Sequence, residues 1–501
     1  MRKIVKLLTS KVLILGLLIL LQLIFLFFFV HKLANDDLIG VYVHFVFIAA
    51  SVLIVLHIVA SNENPSYKIA WLIPVLAFPV FGTFFYILYH QNNVTNRSIR
   101  KYSSITKKRS DLLQGHPNYS KFKETNYYNA NGWRDYKNTS SLLLDSGQIK
   151  LEHLLRDLKK AEKFIFMEYF IISKGKMLDE ILDVLIERAH AGVEIKIIYD
   201  DFGSADRLPF NFRNKMSALG IETLPFNRMR PHINFSMNYR DHRKVIVIDN
   251  KIGYTGGINI GDEYANYYER FGKWHDASIR IEGNAVWSLT LLFLENWNFS
   301  TSKKQQVSFL DYYYSHSVES NDIVVPFGDS PMENKQLARN SFLYLINEAK
   351  EEILITTPYL IFDNELLTAL KLAAASGVKV KIVIPKIPDK HLVYSVTESY
   401  ALELLKSGIE IYKFTPGFIH SKLLVIDNTK AIIGTTNLDF RSLYLHFENN
   451  IYLYGSKTVN DIRKFINDTI NESSLETELS LEKKGLMKLF QSILKGFASI
   501  L

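Results

Sequence analysis

The chain has 501 residues, which is too long for a single core and calls for two or three structural units. It contains no cysteine, so disulfides, thiolate metal sites and a cysteine nucleophile are all excluded. A formal net charge of +8 suits an anionic partner (nucleic acid, an acidic membrane surface or a phosphate-bearing substrate) without choosing among them.

The N-terminus sets the environment. Residues 12–30 and 38–60 are apolar runs, each close to the ~20 residues needed to cross a hydrocarbon core. The basic start (Arg2, Lys3, Lys6) fits a signal peptide, but the first apolar run exceeds the usual ~7–15 residues and no small-residue cleavage site follows. Membrane anchoring is the better reading. A third apolar stretch, 69–89, contains Pro74, Pro79 and Gly82. Basic residues precede the first run and follow the third (Arg97, Arg100, Lys101, Lys107, Lys108, Arg109), and basic flanks favour the cytoplasm. Two cytoplasmic ends need an even number of crossings, so the third stretch reads as re-entrant or interfacial, with three full spans as the alternative. A multi-pass protein of the cell membrane with its remaining chain in the cytoplasm is expected.

From about Gln114 the texture becomes α/β, and it repeats. An apolar strand (164–170), an amphipathic helix (177–190), a turn at Gly192 and a strand (193–199) form one βαβ pattern. The second copy runs through a strand (353–359), a helix (364–375), Gly377 and a strand (378–384). Each copy leads into the same motif, H-x-K-x-x-x-x-D. His242, Lys244 and Asp249 recur as His420, Lys422 and Asp427, and Gly256 and Asn259 recur as Gly434 and Asn437, all at an offset of 178 residues. Duplication of one lobe explains this more simply than chance. The expected division is a membrane region over 1–110, lobes over 111–306 and 307–475, and a C-terminal amphipathic helix over 476–501, where Leu486, Leu489, Phe490, Ile493, Leu494 and Phe497 form a stripe among lysines. Such a helix suits a lipid interface or the catalytic core equally.

On a strand, His and Lys two apart share a face. That pairing offers a titratable nitrogen beside a fixed cation, which a phosphate group requires. Two pseudo-symmetric copies permit one imidazole to attack phosphorus while the other protonates the leaving oxygen. The lysines neutralise the non-bridging oxygens, and the asparagines donate to them. A single copy of the motif occurs often by chance; two, with Gly and Asn in register, do not. Asp249 and Asp427 count as motif members but read as structural partners of nearby cations. No metal-ligand spacing is found, and no metal or other cofactor is expected. His232, His275 and His446 lie near the motifs as candidate lining residues.

With these motifs the sequence resembles the phospholipase D superfamily, and within it the bacterial cardiolipin synthases. The likeness extends to Thr255-Gly256-Gly257-Ile258-Asn259-Ile260-Gly261-Asp262-Glu263-Tyr264, to Trp274-His275-Asp276, to Gly434-Thr435-Thr436-Asn437-Leu438-Asp439 and to Phe447-Glu448. It departs where His275 and Ala277 replace an expected Arg and Thr, and where His446 replaces Asn. The resemblance implies a fold of two pseudo-symmetric lobes, mixed sheets flanked by helices, preceded by transmembrane helices. It also implies a phosphohistidine on His242, acid–base work by His420, phosphate binding by Lys244, Lys422, Asn259 and Asn437, and orientation of the imidazoles by Asp276 and Glu448. The implied reaction moves a phosphatidyl group between two phosphatidylglycerol molecules and releases glycerol. Phosphatidylglycerol and anionic membrane lipid are the implied partners; nucleic acid is not. A hydrolase using water as acceptor is the alternative, followed by a non-catalytic lipid-binding scaffold.

Overall fold

The computed structural model describes Ile24 and residues 38–90, 96–115, 122–228, 238–333 and 335–500. The first expected span, 12–30, therefore lies outside the described residues apart from Ile24. The chain divides into two units, one made of residues up to 96 with 229–238 and 489–501, the other of 97–228 and 239–488.

In the first unit, α1 (Leu38–Ala60) covers the second apolar run. The third apolar stretch breaks into α2 (Pro65–Ala77) and α3 (Pro79–His90), with Phe78 between them. Asn64 caps α2 by accepting from the Ser66 amide at 2.9 Å, and Pro79 starts α3, where its missing N–H costs nothing. Gly82 is obligatory at the crossing, because a Cβ there would lie 2.1 Å from the Pro74 carbonyl oxygen. Ile58, Trp71, Val75, Phe85 and Tyr86 bury one another in a small core. With 13 and 12 residues, α2 and α3 each rise only about 20 Å, short of the ~30 Å hydrocarbon thickness. In α1 the side chains are described without a break only from Phe45 to Ala60. Over residues described in this way, no helix is long and apolar enough to cross a membrane.

The second unit opens with α4 (Asn96–Gln114). Its first lobe carries β1 (Thr139–Leu144), β2 (Phe164–Tyr169), β3 (Glu194–Asp200), β4 (Ile221–Phe226), β5 (Arg240–Asp241), β6 (Lys244–Ile248), β7 (Ile252–Gly256), β8 (Lys273–His275) and β9 (Ser278–Gly283). Seven of them form a mixed sheet in the order β1-β9-β7-β6-β2-β3-β4. The second lobe carries β10 (Ile323–Asp329), β11 (Glu352–Thr356), β12 (Leu360–Ile361), β13 (Lys379–Pro385), β14 (Glu410–Phe414), β15 (Gly417–Ile419), β16 (Leu423–Ile426), β17 (Lys430–Gly434), β18 (Leu438–Asp439), β19 (His446–Tyr454) and β20 (Ser473–Leu475). Its sheet runs β10-β19-β17-β16-β11-β13-β14-β20, so the two orders correspond strand for strand from β1 with β10 to β4 with β14.

Both βαβ patterns form as expected. α5 (Lys176–His190) joins the parallel pair β2 and β3, and α7 (Asn364–Ala375) joins β11 and β13, with α6 (Val286–Ser300) between the lobes. Gly192 and Gly377, at φ of 88° and 91°, close the two helices, and the following valines return N–H bonds to Arg188 and Ala373. β2 and β6 are buried along their whole length, which explains why they read as continuous apolar runs. α6 is buried from Val286 to Asn298 and packs against β2, β6 and β10, so one helix serves both sheets.

The two motif aspartates are structural, and their surroundings correct the sequence reading. Asp249 and Asn250 (φ 53° and 54°) occupy the centre of a tight turn closed by the Lys251 amide on the Ile248 carbonyl at 2.9 Å. Asp427 and Asn428 (φ 47° and 56°) do the same, with Thr429 donating to Ile426 at 3.1 Å. Both are type I′ hairpin turns, which demand residues tolerant of φ > 0. Among the described residues neither carboxylate is held by a side-chain cation, and both bind backbone amides instead. Asp249 accepts from the amides of Glu162, Lys163 and Phe164, each at 2.8 Å, and Asp427 from those of Lys350, Glu351 and Glu352 at 2.7–3.0 Å. Each carboxylate thereby fastens its hairpin to the start of the neighbouring strand. Replacing Asp249 by Ala removes three charge-assisted bonds and should cost about 3 kcal/mol. Calorimetry should register a lower thermal midpoint, with Asp249→Asn in between; an unchanged midpoint would refute the role.

Candidate active site

His242 and His420 sit just before β6 and β16, not on them, which corrects the expectation that His and Lys share a strand face. Their positions come from two short pairings across the lobes. β5 runs parallel to the start of β19, with Arg240 opposite His446 and Asp241 opposite Phe447. The next amide, that of His242, donates to the Phe447 carbonyl at 2.9 Å. In the symmetric arrangement β15 runs parallel to β8, and the His420 amide donates to the His275 carbonyl at 2.7 Å. One residue beyond each acceptor stands the carboxylate that faces the imidazole.

Glu448 takes the Nδ1–H of His242 at 3.0 and 3.1 Å, and Asp276 takes that of His420 at 2.6 Å. Each histidine thus belongs to one lobe and its carboxylate to the other. A carboxylate can only accept, so Nδ1 carries the proton and Nε2 keeps a lone pair. Glu448 also accepts from Thr435 Oγ1, and Asp276 from its neighbouring Ala277 amide at 2.8 Å. Gly257 makes room for Asp276, since a Cβ there would lie 2.1 Å from Oδ1.

Lys244 and Lys422 curl back onto the carbonyl oxygens of His242 (2.6 Å) and His420. Each ammonium therefore lies at its own histidine even though the histidine is off the strand, and among the described residues each makes one hydrogen bond of the three it can donate. Burial pushes Lys244 down to about 7 and Lys422 down to about 8, against the pull of Asp276 and Glu448. Burial likewise lowers His242 to about 3 and His420 to about 4, opposed by their carboxylates and reinforced by the lysines. Burial acts to raise Glu448 and Asp276, but His242 and His446 around the first, and His420, Lys422 and the Ala277 amide around the second, together hold both carboxyls below the usual range. The resting arrangement is two neutral imidazoles, each on an ionised carboxylate.

Asn259 is buried, with Oδ1 accepting from the Ile171 amide at 3.1 Å and Nδ2 donating to Tyr264 Oη at 2.9 Å. Asn437 is buried with no hydrogen bond to Oδ1 among the described residues. Phe170 packs on His242, and Trp274 and Tyr264 pack on His420, with ring centroids 5.1, 5.3 and 5.7 Å apart. His275 instead stacks between Phe414 and Phe465 and bonds Thr469. His446 does line the site, its ring 5.4 Å from that of His242. His232 lies outside the described residues. Sequence reading missed Arg243, the variable residue of the first motif. It is buried, donates from Nε to the Glu448 carbonyl at 3.3 Å, and lies 3.7 and 3.9 Å from Glu295 and Glu168. Its place in the polar run Arg240–Lys244 gives no local signal that it is buried. The second motif has Ser421 there, bonded to Thr356 at 2.8 Å.

Two imidazole nitrogens with free lone pairs beside two lysine side chains are an arrangement that suits in-line displacement at a phosphodiester. Comparison with known proteins agrees. The family described as "Cardiolipin synthase, PLD-like domain" matches residues 154–270 and 342–469, and "Phospholipase D-nuclease N-terminal" matches 46–89. The chain is 35% identical over 427 residues to cardiolipin synthase 2 of Bacillus cereus, covering 83% of this chain and 82% of that protein. It is 32% identical to a cardiolipin synthase of Halalkalibacterium halodurans, covering 83% and 86%, and 37% identical to an uncharacterised protein of Streptococcus mutans, covering 89% and 99%. In fold it is similar to the phosphatidylserine synthase of Haemophilus influenzae (TM-score 0.57, 16% identity, 79% of this chain and 97% of that one).

The site's titration has a consequence for stability. Both imidazoles bind protons less readily folded than unfolded, so their contribution is complete above about pH 6.5 and is lost as pH falls toward their folded values of about 3 and 4. The depressed carboxyls add a loss of the same sign at still lower pH. The thermal midpoint should therefore fall between pH 6.5 and 4, and fall less steeply in a His242→Gln/His420→Gln double variant. Parallel slopes would contradict the assignment.

Proposed function

The chain belongs to the family of cardiolipin synthases built on phospholipase D-like domains, and on that footing we propose that it transfers a phosphatidyl group from one phosphatidylglycerol to another and releases glycerol. The observation that carries this reading is the pair of cross-lobe histidine–carboxylate contacts, each beside a lysine. His242 Nε2 attacks phosphorus, the bond to the headgroup glycerol oxygen breaks, and His420 gives that oxygen its proton. A phosphohistidine results. The hydroxyl of a second phosphatidylglycerol then yields its proton to His420, its oxygen attacks phosphorus, and His242 is released. Lys244 and Lys422, with Asn259 and Asn437, bind the non-bridging oxygens, and the bound anion favours the protonated form that His420 needs. Glu448 and Asp276 hold the tautomers.

Membrane placement belongs to the same proposal. α1 has 23 residues with no Asp, Glu, Lys or Arg, and a rise of roughly 34 Å supports a span. Multi-pass anchoring with cytoplasmic lobes brings a basic catalytic domain to an anionic lipid leaflet. α8 (Gly485–Gly496) exposes Leu486, Met487, Leu489, Phe490 and Ile493 beside Lys488, a surface suited to lying in that interface. The membrane region of 1–110, the lobes of 111–306 and 307–475, and the terminal segment 476–501 are the working limits.

Purified protein given phosphatidylglycerol as the sole lipid should form cardiolipin and glycerol in equal amounts by mass spectrometry, and His242→Ala should form neither. Phosphatidic acid in place of cardiolipin would make water the acceptor and replace this reading with a hydrolase. In a His420→Asn variant, peptide mapping should find the phosphatidyl adduct on His242; an adduct elsewhere reverses the assignment. Gly257→Ala should cut turnover by about 100-fold or more by displacing Asp276, on the scale seen when a histidine loses its orienting carboxylate. Near-normal turnover would deny Asp276 that role.

A further inference from the structure

His446 takes no part in the reaction just described, yet it stands at its centre. It opens β19, its side chain is 9% exposed, and its Nδ1 lies 3.6 Å from Glu448 Oε1. Neither of its ring nitrogens makes a hydrogen bond among the described residues. A buried imidazole without such a bond carries a desolvation cost that a ligand would relieve. His242, His446 and Glu448 each offer one ligand atom, and the three atoms lie within 4.8 Å of one another. Donors about 2.0–2.1 Å from a tetrahedral ion stand roughly 3.4 Å apart, so a modest contraction by side-chain rotation would complete the set. Two imidazoles and one carboxylate are the donor set of zinc sites that keep an open position.

We propose that His242, His446 and Glu448 form a binding site for a zinc-class divalent cation, and that an ion held there switches off the histidine that attacks phosphorus. The chemistry balances without any further reagent. In the resting site His242 keeps its one ring proton on Nδ1 and donates a hydrogen bond with it to Glu448, which leaves the Nε2 lone pair for attack. A cation between the three groups takes the Nδ1 lone pair, so the single proton moves to Nε2. The attacking atom is then capped, and the carboxylate that held the productive tautomer is bound to the ion. The Lys244 ammonium, seated on the His242 carbonyl, repels the ion and makes the site weaker than the same donors in isolation. Borderline-soft ions that accept imidazole are therefore favoured over Mg²⁺ and Ca²⁺, which take oxygen ligands. The inhibitory half rests on the role proposed above for His242; the binding half does not.

The test titrates the full chain in detergent with zinc chloride by calorimetry, beside His446→Asn and His446→Gln variants matched for thermal midpoint. One zinc per wild-type chain is expected, with affinity weakened at least about tenfold in either variant. Cardiolipin formation should fall over the same zinc range in the wild type, recover with EDTA, and need at least about tenfold more zinc in the variants. Equal affinity in wild type and both variants would overturn the site. Binding that depends on His446 while saturating zinc leaves turnover unchanged would overturn the switch. A protein that makes no cardiolipin at all would defeat the synthase reading alone, since the calorimetry still decides the site.

Discussion

Two main-chain hydrogen bonds between the lobes, from the His242 amide to Phe447 and from the His420 amide to His275, are the constraint on which the site depends. Each ends a short parallel pairing and sets a histidine one residue from a carboxylate of the opposite lobe. Neither lobe alone contains a complete pair, so the chemistry requires both lobes docked in register. That explains why the scaffold is so rigid around it. β2 and β6 are fully buried, α6 is shared by both lobes, and each motif aspartate fastens its hairpin by three amide bonds. A register slip in either cross-lobe pairing would separate that pairing's histidine from its carboxylate.

The pseudo-symmetry is broken beneath the first motif. Arg243 is buried among Glu168, Glu295 and the Glu448 carbonyl, and α4 extends the cluster through Arg109, 2.6 Å from Glu295, and Tyr102. Buried charges are costly unless every partner is in place. The cluster therefore ties the segment that follows the apolar N-terminal region to the stretch just before β6 that carries His242. Ser421, with a single hydroxyl contact, imposes no such demand on the other lobe. Equivalent positions in sequence thus differ in what they require of their surroundings.

Much of this was legible in the sequence because its signals were local or repeated. The apolar runs of β2 and β6, the helices ended by Gly192 and Gly377, and the constant 178-residue offset carried the two-lobe α/β fold. Lys244 and Lys422 lie beside their histidines as expected, but for a different reason: their stems fold back to the histidine carbonyls. Asp249 and Asp427 read as structural partners of nearby cations because cations flank them in sequence, whereas φ > 0 at both positions and three amide donors to each give them a turn-and-anchor role instead. Arg243 and the exchange of carboxylates between lobes are tertiary facts. Their partners lie from about 50 to about 200 residues away, where no periodicity points to them.

Burial leaves both imidazoles neutral at rest, which suits an attacking nitrogen and not a proton donor. The difference between the two roles must then enter with the substrate. An anionic phosphodiester seated on Lys244 and Lys422 would offset their charge, and with it one of the influences that keep His420 unprotonated. Asp276, at 2.6 Å, is already placed to stabilise the imidazolium that forms. On this view the site withholds its acid until the group to be cleaved is in place. A buried site with two depressed lysines would thereby be matched to phosphodiesters rather than to neutral esters, which bring no charge to raise the pKa of His420.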